Sequence, residues 1–388
     1  MVRSLMRFAA TLAVASCPPG SSAPAQEPEL GRLRKHVEIL ASPEFAGRRD
    51  EGAARARAYL IDEFRRLGLE PLFGGSYTQD VTGKGGEGVL GVNVGARIPG
   101  DDPALRDRWV ILGAHYDHLG RRGDVIYPGA DDNASGVAMM LEVARCLAGS
   151  AAKPARGVAF VGFDLEERGP KGEFGLRGSQ FFCRNPPIPL DRVSLFVTAD
   201  MIGRSLAGVD SPYVFALGSE REPGVRPWIV EAARDEPVKV GLLGSDILAI
   251  DRSDYGPFRS RKVPYLFFTT GEGPTYHTPR DVAETLDYPK FAAISRIMSR
   301  VVREASRSAV DPTWAEVADN PVAEALTLRD VFRALLEHRD GLKIGAYQVA
   351  LMGQAIRTID GIADRGAMTP AERTGIIRVA QVVLFTVL

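Results

Sequence analysis

The chain has 388 residues, of which 45% are hydrophobic and 25% charged, and its formal net charge is −1. This length allows one large domain with an appendage, or two ordinary domains. The near-neutral charge provides no basic field, which argues against nucleic acid or an anionic membrane as the partner. The three cysteines form no cluster of the kind that holds zinc through thiolates.

The N-terminus predicts an export signal. Arg3 and Arg7 precede a short apolar run, 8–15, that is too short to span a bilayer. Two cleavage positions compete. Either residues 1–25 form a signal peptide, or a lipoprotein signal ends at residue 16 and leaves Cys17 as a lipid anchor. We therefore expect an exported protein without a transmembrane helix, located in the periplasm, on a membrane as a lipoprotein, or outside the cell.

The first part of the chain is predicted to be mainly helical and then rich in loops. Residues 31–70 have a helical pattern interrupted by a polar turn at 46–48, and residues 74–100 indicate loops with short strands. Four strand-like apolar runs follow, and residues 137–147 between the first two have helical spacing. These runs are Trp109–Ala114, Val158–Phe163, Val193–Ala199 and Val263–Thr270.

Alternating strands and helices predict a three-layer α/β/α sandwich around a largely parallel mixed sheet. We assign residues 26–309 to this domain and 310–388 to a C-terminal helical extension. Three amphipathic helices are expected in the extension, over Pro321–His338, Leu342–Asp364 and Pro370–Leu388. The extension contains no obvious ligand residues, so we interpret it as a helical cap or a dimer contact.

Groups able to bind metal follow each predicted strand. His115 and Asp117 follow the first, Glu166 and Glu167 the second, Asp200 the third and His277 the fourth, while Asp131 lies in the loop before a helix. Ligands of open α/β sheets lie beyond the carboxyl ends of the strands, so these groups are expected to converge. Two imidazoles and three carboxylates suit two divalent cations if Asp131 bridges them, and the residual positive charge would activate a shared water.

The motifs also resemble a known family in their order. They are Gly113–Asp117, Pro128–Gly136, Glu166-Glu167, Asp200–Gly203 and Tyr276–Asp281. Together they are similar to the co-catalytic zinc peptidases that include bacterial leucyl aminopeptidases and glutamate carboxypeptidase. The resemblance covers roughly residues 31–305. It implies two zinc ions, one held by His115, Asp131 and Asp200 and the other by Asp131, Glu167 and His277, with a cis bond between Asp131 and Asp132.

The resemblance also suggests catalytic roles. Glu166 would be the general base and acid, since adjacent carboxylates at a strand end point in different directions. Asp117 is placed to accept a hydrogen bond from the second nitrogen of His115. Tyr276, with Tyr255 as its rival, is the candidate donor to the developing oxyanion. His118 has no expected role.

We expect an exopeptidase, and specifically an aminopeptidase, because loops at 203–212, 241–253 and 169–178 should close the pocket at one end. Four arginines, Arg168, Arg177, Arg204 and Arg252, keep a carboxypeptidase or dipeptidase open as alternatives. A single-zinc glutaminyl cyclase and a non-catalytic relative are the others. The loop 170–174 is longer than is usual in the family.

Overall fold

The computed structural model describes residues 26–83, 88–169 and 172–387. The predicted signal peptide and Cys17 lie outside these residues. In the described ranges the helices are α1 (Leu30–Leu40), α2 (Glu51–Arg66), α3 (Gly136–Ala148), α4 (Arg177–Arg184), α5 (Arg226–Ala233), α6 (Tyr255–Arg259), α7 (Tyr288–Arg307), α8 (Val322–Glu337), α9 (Ala346–Arg365) and α10 (Pro370–Val387). None of these helices is both long and apolar enough to cross a membrane.

The strands form one large mixed sheet and one small hairpin. They are β1 (Glu70–Pro71), β2 (Thr78–Thr82), β3 (Val89–Ile98), β4 (Trp109–His115), β5 (Gly120–Arg122), β6 (Val125–Tyr127), β7 (Gly157–Phe163), β8 (Val193–Ala199), β9 (Tyr213–Leu217), β10 (Lys239–Leu243) and β11 (Tyr265–Thr269). The order in the large sheet is β1-β3-β7-β4-β8-β11-β9-β10, with β2 also paired to β3, and β5 pairs with β6.

The centre of the sheet is parallel, and its direction reverses on both sides. Strands β7, β4, β8 and β11 run in the same direction. Strand β3 is antiparallel to β7, and β9 is antiparallel to β11 but parallel to β10. The central strands are uninterrupted apolar runs, and β7 and β8 are buried along their whole length. Such runs are typical of parallel strands covered by helices on both faces. The predicted sandwich around a mixed sheet with parallel central strands is confirmed.

Two hydrophobic cores cover the two faces of the sheet. The first contains buried side chains from α1, α2, α3, α5 and α7. The second contains buried side chains from α4, α6 and the three C-terminal helices. The extension is thus part of the third layer. Its residues Leu328, Met352 and Ile376 are buried in the same core as Phe196 and Phe258 of the sandwich.

Three strands differ from the sequence predictions: β9 and β10 were not predicted, and β3 is longer than expected. Strands β9 and β10 are short, five residues each, and residues 241–243 belong to β10 rather than to the predicted loop. Strand β3 covers ten residues where only a short strand was expected, because its glycines obscure the alternation. Short or glycine-containing strands become stable through pairing within the sheet, which a local pattern does not reveal.

Candidate metal centre

The carboxyl ends of the central parallel strands bring the predicted ligands together. His115 is the last residue of β4, Asp200 directly follows β8, and Glu166 and Glu167 lie just beyond β7. His277 lies in the loop after β11. Because β7, β4, β8 and β11 are parallel neighbours, these side chains meet at one edge of the sheet.

The first group of donors consists of His115, Asp132 and Asp200, and all three are buried. The His115 Nε2 atom lies 3.3 Å from Asp200 Oδ1 and 3.4 Å from Asp132 Oδ1. Its Nδ1 atom lies 3.2 Å from the Asp117 carbonyl oxygen. A proton on Nδ1 satisfies that carbonyl, so the lone pair on Nε2 faces the carboxylates.

The second group shares Asp132 with the first. The His277 Nε2 atom lies 3.1 Å from Asp132 Oδ2 and 3.2 Å from Glu167 Oε1. His118 belongs to this group as well, with Nδ1 3.0 Å from Glu167 Oε1. The two oxygens of Asp132 thus face different histidines, which is the arrangement of a bridging carboxylate.

The bridging position was predicted for Asp131, and the structure places Asp132 there instead. The Asp131 Oδ1 atom accepts a hydrogen bond of 2.6 Å from the Gly203 amide, and Oδ2 lies 3.6 Å from Arg204. Asp131 therefore points away from the histidines and orders the neighbouring loop. The cis peptide bond is likewise shifted by one residue, to Asp132-Asn133.

Two buried charged side chains hold the loop that carries Asp132. The Asp281 carboxylate accepts hydrogen bonds from the amides of Asp131 and Asp132, at 2.9 and 3.1 Å. The Arg48 guanidinium, fully buried, donates to five carbonyl oxygens, those of Leu40, Tyr116, Pro128, Gly129 and Asp132. Burial lowers the pKa of Arg48 to about 10, so the side chain remains cationic at neutral pH.

Asp117 contacts both sides of the site. Its Oδ1 atom is 3.7 Å from His115 Nδ1, a longer distance than a hydrogen bond. The same carboxylate accepts hydrogen bonds from the backbone amides of Glu166 and Glu167, at 3.0 and 3.2 Å. Asp117 therefore fixes the backbone of the two glutamates. The hydrogen bond that was predicted between His115 and the Asp117 carboxylate is made to the Asp117 carbonyl oxygen instead.

Glu166 and Tyr276 both line the cavity above the donors. The Glu166 Oε2 atom is 4.0 Å from His115 Nε2, and burial raises the pKa of this carboxyl well above its ordinary value. The Tyr276 ring stacks on His277 with centroids 3.8 Å apart. Tyr255 is fully buried between Tyr265 and Phe267, so it is a core residue and Tyr276 remains the candidate donor.

The chemistry of the donor set fits a divalent metal. His118 Nδ1 and Nε2 and Glu167 Oε1 are buried and have no hydrogen-bond partner among the described residues. Three carboxylates, those of Asp132, Glu167 and Asp200, converge with little exposure to solvent. A cation between like charges at this spacing would offset their repulsion. Although burial alone would lower the pKa of His277, contacts with Asp132 and Glu167 raise it to about 10, as expected in a strongly negative potential.

The donors lie at the floor of a cavity of about 1270 Å³. Its walls come from the three predicted loops, through Leu206, Ile250 and Phe174, and from residues 46–52 and 119–122. Leu384 and Phe385 of α10 also line it. Two of the four arginines that could bind a substrate carboxylate already have acidic partners, because Arg204 binds Asp281 and Arg252 binds Glu272.

Three residues of this site had no assigned role in the sequence prediction. His118 follows the His115-Tyr116-Asp117 motif by one position, and that proximity was the available signal. Asp281 belongs to the quoted Tyr276–Asp281 motif, although its contact with the Asp132 loop is visible only in three dimensions. Arg48 lies in the turn between α1 and α2, far from the motifs in sequence, so nothing local indicates its role.

Residues 93–302 match peptidase family M28. Among curated proteins, aminopeptidase YwaD of Bacillus subtilis is 27% identical over 210 residues, which cover 52% of this chain and 42% of that protein. The chain therefore spans less than half the length of this relative.

Solved structures show the same fold. The Legionella pneumophila LapA aminopeptidase superposes with a TM-score of 0.56 at 20% identity, over 72% of this chain and 73% of that chain. A glutaminyl cyclase from Porphyromonas gingivalis has the same TM-score and identity, over 71% of this chain and 98% of that chain. At these identities the likeness shows the sandwich architecture and not the reaction.

Proposed function

The chain belongs to peptidase family M28, and from that premise we propose that it is a zinc-dependent aminopeptidase that releases residues from the N-terminus of peptides. The observation that carries this proposal is the position of Glu166 in the cavity wall beside two donor groups that share Asp132. The named aminopeptidase relative, YwaD, supports the choice of substrate class.

We propose that two zinc ions bind, one at His115, Asp132 and Asp200 and the other at Asp132, Glu167 and His277. When bound, zinc would polarise the scissile carbonyl and allow water to act as a nucleophile near neutral pH. Two donor groups favour this function over a single-zinc glutaminyl cyclase. Elemental analysis of the zinc-loaded protein should give two ions per chain, and a value of one would contradict this part of the proposal.

The protein's own side chains supply the remaining chemistry. The Glu166 carboxylate takes a proton from the attacking water and returns it to the departing amine. The Tyr276 hydroxyl, which burial keeps protonated by raising its pKa, donates a hydrogen bond to the carbonyl oxygen as negative charge develops there. Asp117 holds the backbone of Glu166 and Glu167 in position through their amides.

A free N-terminus is favoured by the position of the Glu166 carboxylate, which lines the cavity beside the donors. Glu166 remains to neutralise an ammonium group, whereas Arg204 and Arg252 are already paired with acidic residues. The test compares one peptide with its N-acetylated and C-amidated forms. We expect cleavage to be lost on acetylation and retained on amidation. The opposite pattern would identify a carboxypeptidase, and cleavage of the doubly blocked peptide would exclude an exopeptidase.

We also propose that the protein is exported, on the basis of the basic and apolar N-terminal segment. Residues 1–25 would be removed as a signal peptide, or Cys17 would become the lipidated N-terminus. N-terminal sequencing of the mature protein distinguishes the two. Cleavage before Gln26 supports the free periplasmic or secreted form, and a blocked chain that loses membrane association on Cys17→Ser supports the lipoprotein.

A further inference from the structure

The second donor group has the geometry of a four-ligand site once His118 is included. His118 Nδ1 is 3.0 Å from Glu167 Oε1 and 3.7 Å from Asp132 Oδ2. His277 Nε2 is 3.2 and 3.1 Å from the same two oxygens. Bonds of about 2.0–2.1 Å to a tetrahedral zinc ion place neighbouring donors about 3.3 Å apart. The four distances lie around this value.

The surroundings of His118 argue for a metal ligand rather than a hydrogen-bonded imidazole. The ring is fully buried, and neither nitrogen has a hydrogen-bond partner among the described residues. The approach to Glu167 is short but lacks hydrogen-bond direction. A buried polar ring without partners costs free energy unless something else satisfies it. A cation placed between His118 and the two carboxylates would do so.

We propose that His118 is a fourth protein ligand of the zinc ion at the second group. This inference rests on the metal-dependent function proposed above and adds a ligand to it. The two sites would then differ in kind. The first group offers three protein donors and leaves a position for water or substrate, as catalytic zinc sites do, whereas four donors close the second site in the manner of structural zinc sites.

The test measures metal binding directly, independently of catalysis. The variants His118→Asn and His118→Gln are titrated in the apo form with zinc, beside His277→Asn and the control His36→Asn. His36 is another buried histidine, paired with Tyr59 outside the site. Circular dichroism confirms folding, and the larger Gln preserves more of the ring's volume if Asn is not tolerated.

We expect His118 variants to weaken one zinc ion by more than about 100-fold, as His277→Asn does, since even second-sphere contacts change affinity by about 10- to 100-fold. After substitution with cobalt, the visible spectrum of the His118 variants should differ from that of the wild type at one of the two metal sites only. A protonated His118 would instead repel the cation, so its removal would leave zinc affinity unchanged or increase it. That result, or an unaltered cobalt spectrum, would overturn the proposal. Activity enters neither readout, so the outcome is separate from that of the peptide assays.

A second inference concerns the mouth of the cavity, where apolar side chains are exposed. Phe174, Ile250 and Phe385 have exposed fractions of 73%, 54% and 68%, and all three line the cavity that contains the metal ligands. With Leu384 we call them the apolar rim. They come from three separate elements, namely the loop after β7, the loop after β10 and helix α10. An exposed apolar cluster beside a polar site commonly marks a binding surface.

The size of the cavity indicates what the apolar rim contacts. About 1270 Å³ exceeds the roughly 300–1,000 Å³ of typical small-ligand pockets, so several residues of a peptide fit. The scissile bond must lie at the metal ligands on the cavity floor. Three of the rim residues, Phe174, Ile250 and Phe385, are more than half exposed. They therefore lie toward solvent, where the leaving part of the peptide would emerge.

We infer that the apolar rim binds apolar side chains on the C-terminal side of the scissile bond, so the preferred substrates are peptides with hydrophobic residues there. This inference rests on the aminopeptidase function proposed above. The C-terminal extension would thereby take part in specificity while contributing no metal ligand. The interaction is equally strong before and in the transition state, so it should affect KM rather than kcat.

The experiment uses Phe385→Ser with Tyr347→Ser as its control, since Tyr347 has the same exposed fraction of 68% and lies in α9 away from the cavity. Tripeptides with leucine first and either leucine or serine third are compared. We expect wild type and the control to show a KM about 3- to 10-fold lower for the apolar peptide. Phe385→Ser should lose this preference, because its KM for the apolar peptide rises to that for the polar one.

A leucine anilide, which has no downstream residues, separates the possible failures. Two results would overturn the rim proposal and leave the aminopeptidase function intact. In the first, the wild type cleaves the anilide and both tripeptides but has the same KM for the two tripeptides. In the second, the preference for the apolar tripeptide survives Phe385→Ser. If no substrate is cleaved, fluorescence anisotropy of labelled apolar and polar peptides still tests the rim. Equal binding of the two peptides, or binding indifferent to Phe385→Ser, would then overturn it.

Discussion

Substitution of Glu166 should lower turnover strongly and leave metal binding unchanged. Its carboxylate lines the cavity beside His115 and is not one of the closely spaced donors. Removal of a general base usually lowers rates by about 10²- to 10⁴-fold. We therefore expect Glu166→Gln to lose at least this much in kcat and to keep its zinc content and thermal stability.

Glu51→Gln is the matched control for that experiment. Glu51 lines the same cavity, and its side chain is 93% exposed, so its loss removes one negative charge without touching the donors. Its kcat should remain close to the wild-type value. A near-normal kcat for Glu166→Gln, measured with zinc content verified, would show that another group transfers the proton.

Asp131 and Asp132 offer a second matched pair. Asp132 faces both histidine groups, whereas Asp131 binds the Gly203 amide. We expect Asp132→Asn to weaken both zinc ions and abolish activity, because both donor groups lose a charged oxygen. Asp131→Asn should retain zinc with a modest loss of stability, about 1 kcal/mol for one hydrogen bond. Loss of both ions in Asp131→Asn alone would reverse this assignment.

The same pair shows where prediction from sequence reaches its limit at the scale of residues. The types of ligand and the strands that present them follow from polar groups placed after apolar runs. Which of two adjacent aspartates faces the metals depends on backbone rotation in one loop, and that rotation is set by Asp281 and Arg48 from distant parts of the chain. Identical neighbouring side chains carry no local signal that separates them.

At the scale of elements, a buried carboxylate joins α1 to α3. Glu142 of α3 is fully buried and accepts hydrogen bonds from Arg32 at 2.7 Å, Arg145 at 2.9 Å and the Glu29 amide at 3.2 Å. Burial by itself would raise the pKa of Glu142, but the nearby His36 and hydrogen bonds from Arg145 and Arg32 lower it to about 2. The charged form is therefore the one that stabilises this packing.

The stabilisation by Glu142 should depend on pH. Because its folded-state pKa is below the ordinary value of 4.5, the contribution is complete above that pH and is lost as the pH falls toward 2. We expect Glu142→Gln to lower the free energy of unfolding by about 3 kcal/mol at pH 7, and by much less near pH 2.5.

Denaturant titrations at both pH values, with Glu38→Gln as control, measure this effect. Glu38 also belongs to α1, and its exposed side chain makes a long contact of 3.9 Å with Arg34, so its loss should cost less than about 1 kcal/mol. An equal loss of stability for Glu142→Gln at pH 7 and pH 2.5 would assign the effect to packing instead of charge.

Elements were predictable where the apolar pattern was long and uninterrupted. The four central strands and the three C-terminal helices lie within a few residues of their predicted positions. Burial on both faces gives a strand a continuous apolar run, and burial on one face gives a helix a clear period. Strands β9 and β10 at one side of the sheet were not predicted. Each has five residues, and their stability derives from pairing with one another and with β11.

At the scale of the whole molecule, the C-terminal helices support the loop between β10 and α6. The Gly244 amide donates to Glu324 of α8 at 2.7 Å, and Asp246 binds Arg373 of α10 at 2.6 Å. Gln381 of α10 donates to the Asp246 carbonyl at 2.8 Å. Residues 247–252 of this loop line the cavity, so the extension holds this part of the cavity wall in place.

A chain ending at Pro312 tests this connection. It keeps Asp311 and its ion pairs with Arg108 and Arg156, while removing all three helices. We expect two zinc ions to remain, because every donor lies between residues 115 and 277. Solubility should fall as the second core is exposed, and KM should rise with residual turnover. A folded, zinc-loaded truncation with unaltered KM would show that the extension has no influence on the cleft.

Arg48 has a consequence for where the working unit of this protein begins. The family match starts at residue 93, yet the guanidinium that fixes the Asp132 loop comes from the turn between α1 and α2. A gene fragment that begins at the family boundary would encode the donors of both groups. It would lack Arg48, the cation that orients the loop of the shared donor Asp132. The smallest functional segment of the chain therefore includes the N-terminal helices. In chimaeras between relatives, the junction should be placed before α1.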